Sequence, residues 1–158
     1  MSTFQVDQLD HVELFVPNRH EAAAWYRRVL GLEILAEYEF WAADPRGPLM
    51  VSSDAGNTKL ALFEGASSHP PSAGGFRRVA FRIAGHGFIE FLHRLADLGL
   101  KDHHDRVVTI DSIVDHVKAY SVYFSDPYGH QFEVTTYDHE EVETGLVVLR
   151  GQLHSNAH

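Results

Sequence analysis

The chain contains no cysteine. Disulfides and thiolate metal sites are therefore excluded, and redox chemistry does not fix a compartment. Positive charge is scarce as well: 13 lysines and arginines stand against 22 aspartates and glutamates, a formal net charge of −9. That balance argues against nonspecific binding to nucleic acid or to an anionic membrane. No apolar run approaches the roughly 18 residues of a membrane span. The N-terminus lacks the basic-then-apolar pattern of a signal peptide, so the expected location is the cytoplasm. What is present is 158 residues with 44% apolar content. This suits one domain, or two small modules that share a core. Histidine is plentiful, with 12 in the chain; His139, His154 and His158 read as part of a solvated tail.

The stretch from Val114 to Glu133 is the most informative. Tyr120, Val122 and Phe124 alternate with Ser121, Tyr123 and Ser125, the period of a half-buried strand. Asp126-Pro127-Tyr128-Gly129 is a turn in which proline presets φ and glycine supplies positive φ. His130, Phe132 and Val134 then alternate with Gln131, Glu133 and Thr135. A carboxylate at Glu133 inside such a run costs free energy unless it finds a hydrogen-bond donor, a cation or a metal.

Taken in order, Gln8–Val16 reads as a strand with Val12, Leu14 and Val16 on one face and His11, Glu13 and Phe15 on the other. Asn18 caps a helix, with Glu21 as its capping-box partner, and Gly31 closes it. Leu32–Trp41, Pro48–Ser53 and Lys59–Glu64 read as three strands, with turns at Asp44-Pro45-Arg46-Gly47 and Ala55-Gly56-Asn57. Gly65–Gly75 is a linker of small residues and proline. The pattern then restarts. Phe76–Ile83 is a strand with Val79, Phe81 and Ile83 on one face and Arg78, Ala80 and Arg82 on the other. Phe88–Leu98 is a helix closed by Gly99. Residues 100–113 suggest a short strand near Arg106–Thr109 and a loop. Lys118–Ser125 and His130–Tyr137 are the last strands. The later Gly-Leu-Val-Val-Leu-Arg run suggests a packing arm or an extra strand.

This is an internal repeat. His11 and Arg78 hold the same place in their strands, and Gly31 and Gly99 the same place after their helices. The expected fold is α+β, with two tandem β-α-β-β-β modules forming a cup-shaped, partly open mixed sheet. The first module takes residues 1–65, the linker 66–75, the second module 76–138 and a C-terminal extension 139–158. The cleft-facing residues would be His11, Glu13 and Phe15, then Arg78, Ala80 and Arg82, then Ser121, Tyr123, Gln131 and Glu133. His11 and Glu133 would then share a predicted face. An imidazole with a carboxylate is a hard-to-borderline pair suited to Fe(II), Mn(II), Zn(II) or Ni(II).

Three segments carry a family resemblance: Asp10–Val16, Tyr26–Leu32 and Asp126–Val134. They resemble the vicinal-oxygen-chelate superfamily, the group of glyoxalases, bleomycin-resistance proteins and extradiol dioxygenases. The similarity covers roughly residues 7–138. Val114-Asp115-His116, Val122-Tyr123, Asp126-Pro127-Tyr128-Gly129 and Glu133 resemble, in order and spacing, the extradiol ring-cleavage signature.

The resemblance implies one divalent metal held by a histidine on the first strand, a histidine on the equivalent strand of the second module, and the final glutamate. His11 and Glu133 match. Arg78 stands at the second histidine position and cannot ligate. A further glyoxalase ligand position falls near Ala61, which has no donor. Tyr123 and His116 resemble the catalytic residues that hold substrate and shuttle protons in extradiol enzymes. Glu13, Phe15, Arg78 and Arg82 would line the substrate site, with Trp41 as a further aromatic candidate for the cleft wall.

Two readings stay open. In one, His11, Glu133 and an irregular third ligand such as Glu13 or His116 hold the metal for a dioxygenase or lyase acting on a small oxygen-rich substrate. In the other, Arg78 replaces the metal by pairing with Glu133, a pairing open to bidentate geometry, and leaves an organic-anion pocket in a binding protein of the bleomycin-resistance type. Either would be a homodimer, by the habit of that superfamily.

Overall fold

A computed structural model of the chain describes residues 8–66 and 77–155. Most of the glycine- and proline-rich linker lies outside the described residues. Two compact units emerge, Met1–Ser72 and Ala73–His158. Each contains a four-stranded mixed sheet, and the α+β class expected from the repeat is what the structure has.

In the first unit, β1 (His11–Val16) leads into α1 (Arg19–Leu30), followed by β2 (Glu33–Ile34), β3 (Leu49–Ser52) and β4 (Lys59–Glu64). The sheet order is β1-β4-β3-β2, with β1 and β4 parallel. Asn18 starts α1 by accepting from the backbone N–H groups of His20 and Glu21, each at 3.0 Å. Gly31 ends it in the left-handed region at φ 67°. Ala22, Ala23, Tyr26 and Val29 recur at helical spacing and are buried with Leu14 and Val16 of β1.

The expected second strand over Leu32–Trp41 is not formed beyond β2. Residues Ala36–Ala43 make a 3-10 segment instead. Leu35 and Tyr38, three apart, both pack on Met50, Ala61 and Phe63. Tyr38 stacks on Trp41 with ring centroids 4.7 Å apart. A period of three suits a 3-10 turn and defeats the two-residue alternation of a strand. Arg19 pins the exit from this segment. Its buried guanidinium donates to the carbonyls of Ala42 and Asp44, at 3.2 and 3.3 Å, and to that of Gly47.

The second unit repeats the plan. β5 (Val79–Arg82) leads into α2 (Gly85–Leu98), then β6 (Val114–Asp115), β7 (Tyr120–Ser125) and β8 (Gln131–Thr136). The order is β5-β8-β7-β6, with β5 and β8 parallel. Phe88, Phe91, Leu92, Leu95 and Leu98 bury one face of α2, and Val122, Phe124, Phe132 and Val134 bury the adjacent sheet face. The short strand expected near Arg106–Thr109 is reduced to isolated bridges of Lys101 with Val107 and Ser125. A 3-10 turn follows at Ile110–Ser112, capped by Thr109.

Of the two expectations for the C-terminal run, the extra strand is not formed and the run packs as a helix. It lies in α3 (His139–Ser155), which packs against α2. Val142, Leu146 and Leu149 are buried at helical spacing. Asp138, just before α3, accepts from the Gly85 N–H at 2.8 Å and so supplies the cap that Ala84 cannot. Gly145 permits the close approach of the helices. A methyl group there would lie 2.6 Å from Ile89 Cδ1.

Two outcomes follow from this packing. Gly145→Leu should destabilise the fold by about 1–3 kcal/mol through overpacking, read as a lower urea midpoint. Gly151→Ala, which meets nothing within 4 Å, should instead be neutral or stabilising.

The β3–β4 turn adds a pH dependence. Asp54 accepts from the Thr58 hydroxyl at 2.6 Å, the Thr58 N–H at 2.9 Å and the Ser52 hydroxyl at 2.7 Å. The Thr58 hydroxyl foremost, then these other donors, lower its pKa from 3.8 to about 2. Such an acid stabilises the fold above its unfolded pKa, and that contribution is lost as pH falls through the folded value. Thermal denaturation of wild type and Asp54→Asn should therefore give curves that converge between about pH 4 and pH 2.

Candidate functional site

The face of the second sheet away from α2 carries the chemistry. Pairing sets Ala80, Glu133 and Tyr123 in one row and Arg82, Thr135 and Ser121 in the next. Gln131 and Ser125 form the row on the other side, where Arg78 immediately precedes β5. Residues directly paired across strands point to the same face, so the two-residue period set this arrangement.

Glu133 is 17% exposed and has two partners. Ser121 donates its hydroxyl proton to Glu133 Oε1 at 2.7 Å. Ser121 Oγ also lies 3.0 Å from Thr135 Oγ1, extending the polar row. Arg78 Nη1 stands 3.9 Å from Glu133 Oε2. That is an ion pair, but it is too long for a hydrogen bond, so the bidentate pairing considered for this arginine is not formed. The Arg78 guanidinium instead lies over the Tyr123 ring, 4.2 Å from its centroid. Its Nε is buried without an acceptor among the described residues. A buried N–H without an acceptor is costly, and its unmatched state leaves the guanidinium open to an acceptor from outside the chain.

Tyr123 reaches the other way to His116, with its hydroxyl 2.8 Å from Nε2. His116 sits in the tight turn between β6 and β7, where its N–H donates to the Ala119 carbonyl at 2.8 Å. The next residue, Val117, has φ 70°, a conformation that costs a β-branched residue of order 1–3 kcal/mol. Asp115 holds it there by accepting from the Val117 N–H at 2.7 Å. His139 Nε2, 2.8 Å from Asp115 Oδ1, keeps that carboxyl below its ordinary pKa. Tyr120, stacked on His139 at 4.4 Å, is pushed above its ordinary value, first by burial and then by Asp115.

A cleft of about 560 Å³ opens beside Arg78 and Tyr123. The 102–113 loop forms much of its wall, through Arg106 and Val107 among others, and Val114 of β6 continues it. Arg106 is already engaged by Asp102, with contacts of 2.6 and 2.8 Å, and it holds the Asp102 carboxyl well below the usual range. Arg82 takes no part: it is exposed and lies over the Tyr137 ring, 5.3 Å from the centroid.

In the first unit, His11, Glu13 and Phe15 occupy the sheet face away from α1, as their alternation implied. His11 Nδ1 is 2.7 Å from Asp10 Oδ2, and its Nε2 is 3.5 Å from Glu13 Oε1. Lys59 Nζ, almost buried, donates to Asp10 Oδ1 at 2.8 Å. Phe15 is half exposed and tilted against Phe63 at 6.3 Å.

The family model of the Glyoxalase/Bleomycin resistance protein/Dioxygenase superfamily matches residues 8–134. The chain belongs to this superfamily. Solved structures agree on the fold. The fosfomycin resistance protein FosX from Listeria monocytogenes is 18% identical, with a TM-score of 0.60 over 87% of this chain and 99% of that one. A glyoxalase/dioxygenase from Nostoc punctiforme is 20% identical, with a TM-score of 0.61 over 87% and 98%. The oxidase ChaP-H2 is 23% identical, with a TM-score of 0.59 over 84% and 94%. FosX has been seen complexed with Mn(II) and 1S,2S-dihydroxypropylphosphonic acid. No curated protein matches the chain in sequence.

The superfamily thus includes a protein that holds a divalent metal, and the donor set here can be tested against one. Glu133 already accepts from Ser121 and faces Arg78. A cation at Glu133 would sit beside a guanidinium, where like charges at 4 Å repel by on the order of 4 kcal/mol per unit of charge. Ala61 offers no donor. Among the described residues no group of three His, Cys, Asp or Glu is placed to hold a metal ion. These residues do not fit a divalent metal at Glu133.

Sequence reasoning overlooked Ser121 as the donor to Glu133, although its place on the same face was legible. It also passed over Val107 and Arg106 as cleft residues, since residues 100–113 carry no period. Asp126 was read only as part of a turn. Its side chain, closed to solvent, accepts from the N–H groups of Tyr128 and His130 at 2.9 and 2.8 Å and lies 2.6 Å from His130 Nδ1. Gly129, at φ 95°, completes the turn. Asp126→Ala would leave these buried donors unmatched. Chemical denaturation should show a loss on the order of 3 kcal/mol, with Asp126→Asn recovering part of it.

Proposed function

We propose that this chain is a metal-independent, small-molecule-binding member of its superfamily, and that its ligand is an organic anion taken up by Arg78 in the cleft of the second unit. The observation that carries the reading is the state of Arg78: stacked on Tyr123, only loosely paired with Glu133, and with a buried Nε that has no acceptor among the described residues. The cleft volume falls within the range of about 300–1,000 Å³ common for small-molecule sites. Tyr123, on the cleft wall, would position the ligand, with His116 holding the Tyr123 hydroxyl at 2.8 Å. The same reading takes the protein as a cytoplasmic homodimer. No helix among the described residues is long and apolar enough to cross a membrane.

The second reading is the metal-dependent one, a dioxygenase or lyase with His11 and Glu133 as ligands, Glu13 and Phe15 near the substrate, and Tyr123 with His116 assisting. What favours it is the Asp10 carboxylate on His11 Nδ1, which orients the ring as the outer partners of metal-bound histidines do.

One substitution separates the two. Glu133→Gln removes a metal ligand in the second reading, but removes a competing negative charge beside Arg78 in the first. The expected outcome is at most a small metal content in purified protein, no rise in melting temperature with added Fe(II), Mn(II), Zn(II) or Ni(II), and severalfold tighter anion binding by Glu133→Gln. A stoichiometric metal that Glu133→Gln or His11→Ala abolishes would overturn the proposal.

A further inference from the structure

Resting on that reading of Arg78, we infer that the ligand is a monocarboxylate carried on an apolar, ring-sized body. The charge of the site sets the first part. The cleft is lined by Arg77, Arg78 and Arg106 against Asp102 and Asp111. Arg106 is spent on Asp102. Glu133 stands 3.9 Å from Arg78. With Arg106 and Asp102 paired, Arg77 and Arg78 face Asp111 and the neighbouring Glu133, so the site holds no surplus of cation. A single anionic charge is the most that Arg78 can take up there, and a dianion such as a phosphate monoester would meet the Glu133 carboxylate with too little cation to offset it.

Geometry sets the approach. Tyr123 covers one face of the Arg78 guanidinium. An acceptor approaches in the plane of its N–H groups, where a carboxylate can present two oxygens to one edge as a phosphate can, so the charge of the site is what favours the carboxylate.

The body follows from the walls. Val107 is 61% exposed and Val114 is 38% exposed, and both line the cleft with the Tyr123 ring. Apolar side chains left open to water on the wall of a concave site gain from covering by an apolar ligand surface. Val107 lies in the 102–113 loop, held by the Lys101–Val107 bridge and the capped turn at Ile110–Ser112, and Val114 opens β6 directly after it. Nothing in this argument needs His11 or the first unit.

The test is calorimetry and thermal shift on the full chain with phenylacetate, 3-phenylpropionate, acetate, benzamide, phenylphosphonate and inorganic phosphate. The expected result is saturable binding of at least one aryl carboxylate. Acetate, benzamide, phenylphosphonate and phosphate should each be at least tenfold weaker. Arg78→Met should remove the binding, and Val107→Asp, a surface change that leaves the core intact, should weaken it at least tenfold. Circular dichroism checks that both variants fold. If phenylphosphonate or phosphate binds better than the carboxylates and still requires Arg78, the carboxylate assignment is overturned while the anion-pocket reading stands. If acetate or benzamide equals phenylacetate, the apolar body or the charge requirement is overturned. If no anion binds in an Arg78-dependent way, both this inference and the proposed function fail.

Discussion

The second sheet is organised by one constraint: a carboxylate at Glu133, set within a strand, must be compensated where it stands. β8 is paired on both sides, with β5 and with β7. Its side chains can look only toward α2 or away from it. Glu133 looks away, and compensation must come from the same rows of the neighbouring strands. Ser121 supplies a proton at 2.7 Å, and Arg78 supplies charge at a distance that leaves its hydrogen bonds unused. The hydroxyl settles one carboxylate oxygen. The guanidinium is left in debt for acceptors, which makes this row a binding surface as well as a packed one.

The two units share a plan and differ in what lies on the outer face. In the first, the 3-10 segment lays Leu35 and Tyr38 onto Met50, Ala61 and Phe63, so the chain covers that part of its own sheet. Arg19 fixes the exit from that segment by donating to the carbonyls of Ala42, Asp44 and Gly47. In the second, the corresponding space is bounded by the 102–113 loop, and Arg78 and Tyr123 line an open cleft. Polar rows cannot be covered by apolar side chains without leaving donors unmatched. The duplicated topology therefore gave a closed face where the residues are apolar and an open one where they are charged.

Much of the strand pattern was legible because burial on one side writes a period of two into the sequence. His11, Glu13 and Phe15 lie opposite Leu14 and Val16, and Tyr123 and Glu133 share a row, as alternation implied. The helices were legible from Phe88, Phe91, Leu92 and Leu95 and from their closing glycines. The segments that escaped share one trait: their order comes from contacts distant in sequence. Leu32–Trp41 alternates well enough to resemble a strand, but Met50 and Ala61 draw Leu35 and Tyr38 to the same side. The Gly-Leu-Val-Val-Leu-Arg run is dense in β-branched residues. It is helical because Gly145 lets the run press against Ile89 of α2, with Leu146 and Leu149 buried.

By itself the sequence determined the class of fold, the repeat, the faces of the strands and the motif that marks the superfamily, because each is carried by local periodicity or by turn chemistry. It also determined that an arginine stands where a histidine ligand would be expected. Only the tertiary structure decided what that arginine does. Whether Arg78 grips Glu133, stacks on Tyr123 or swings into solvent depends on distances of a few tenths of an ångström between three strands. No one-dimensional pattern encodes those distances, and here they leave the guanidinium stacked, loosely paired and short of an acceptor.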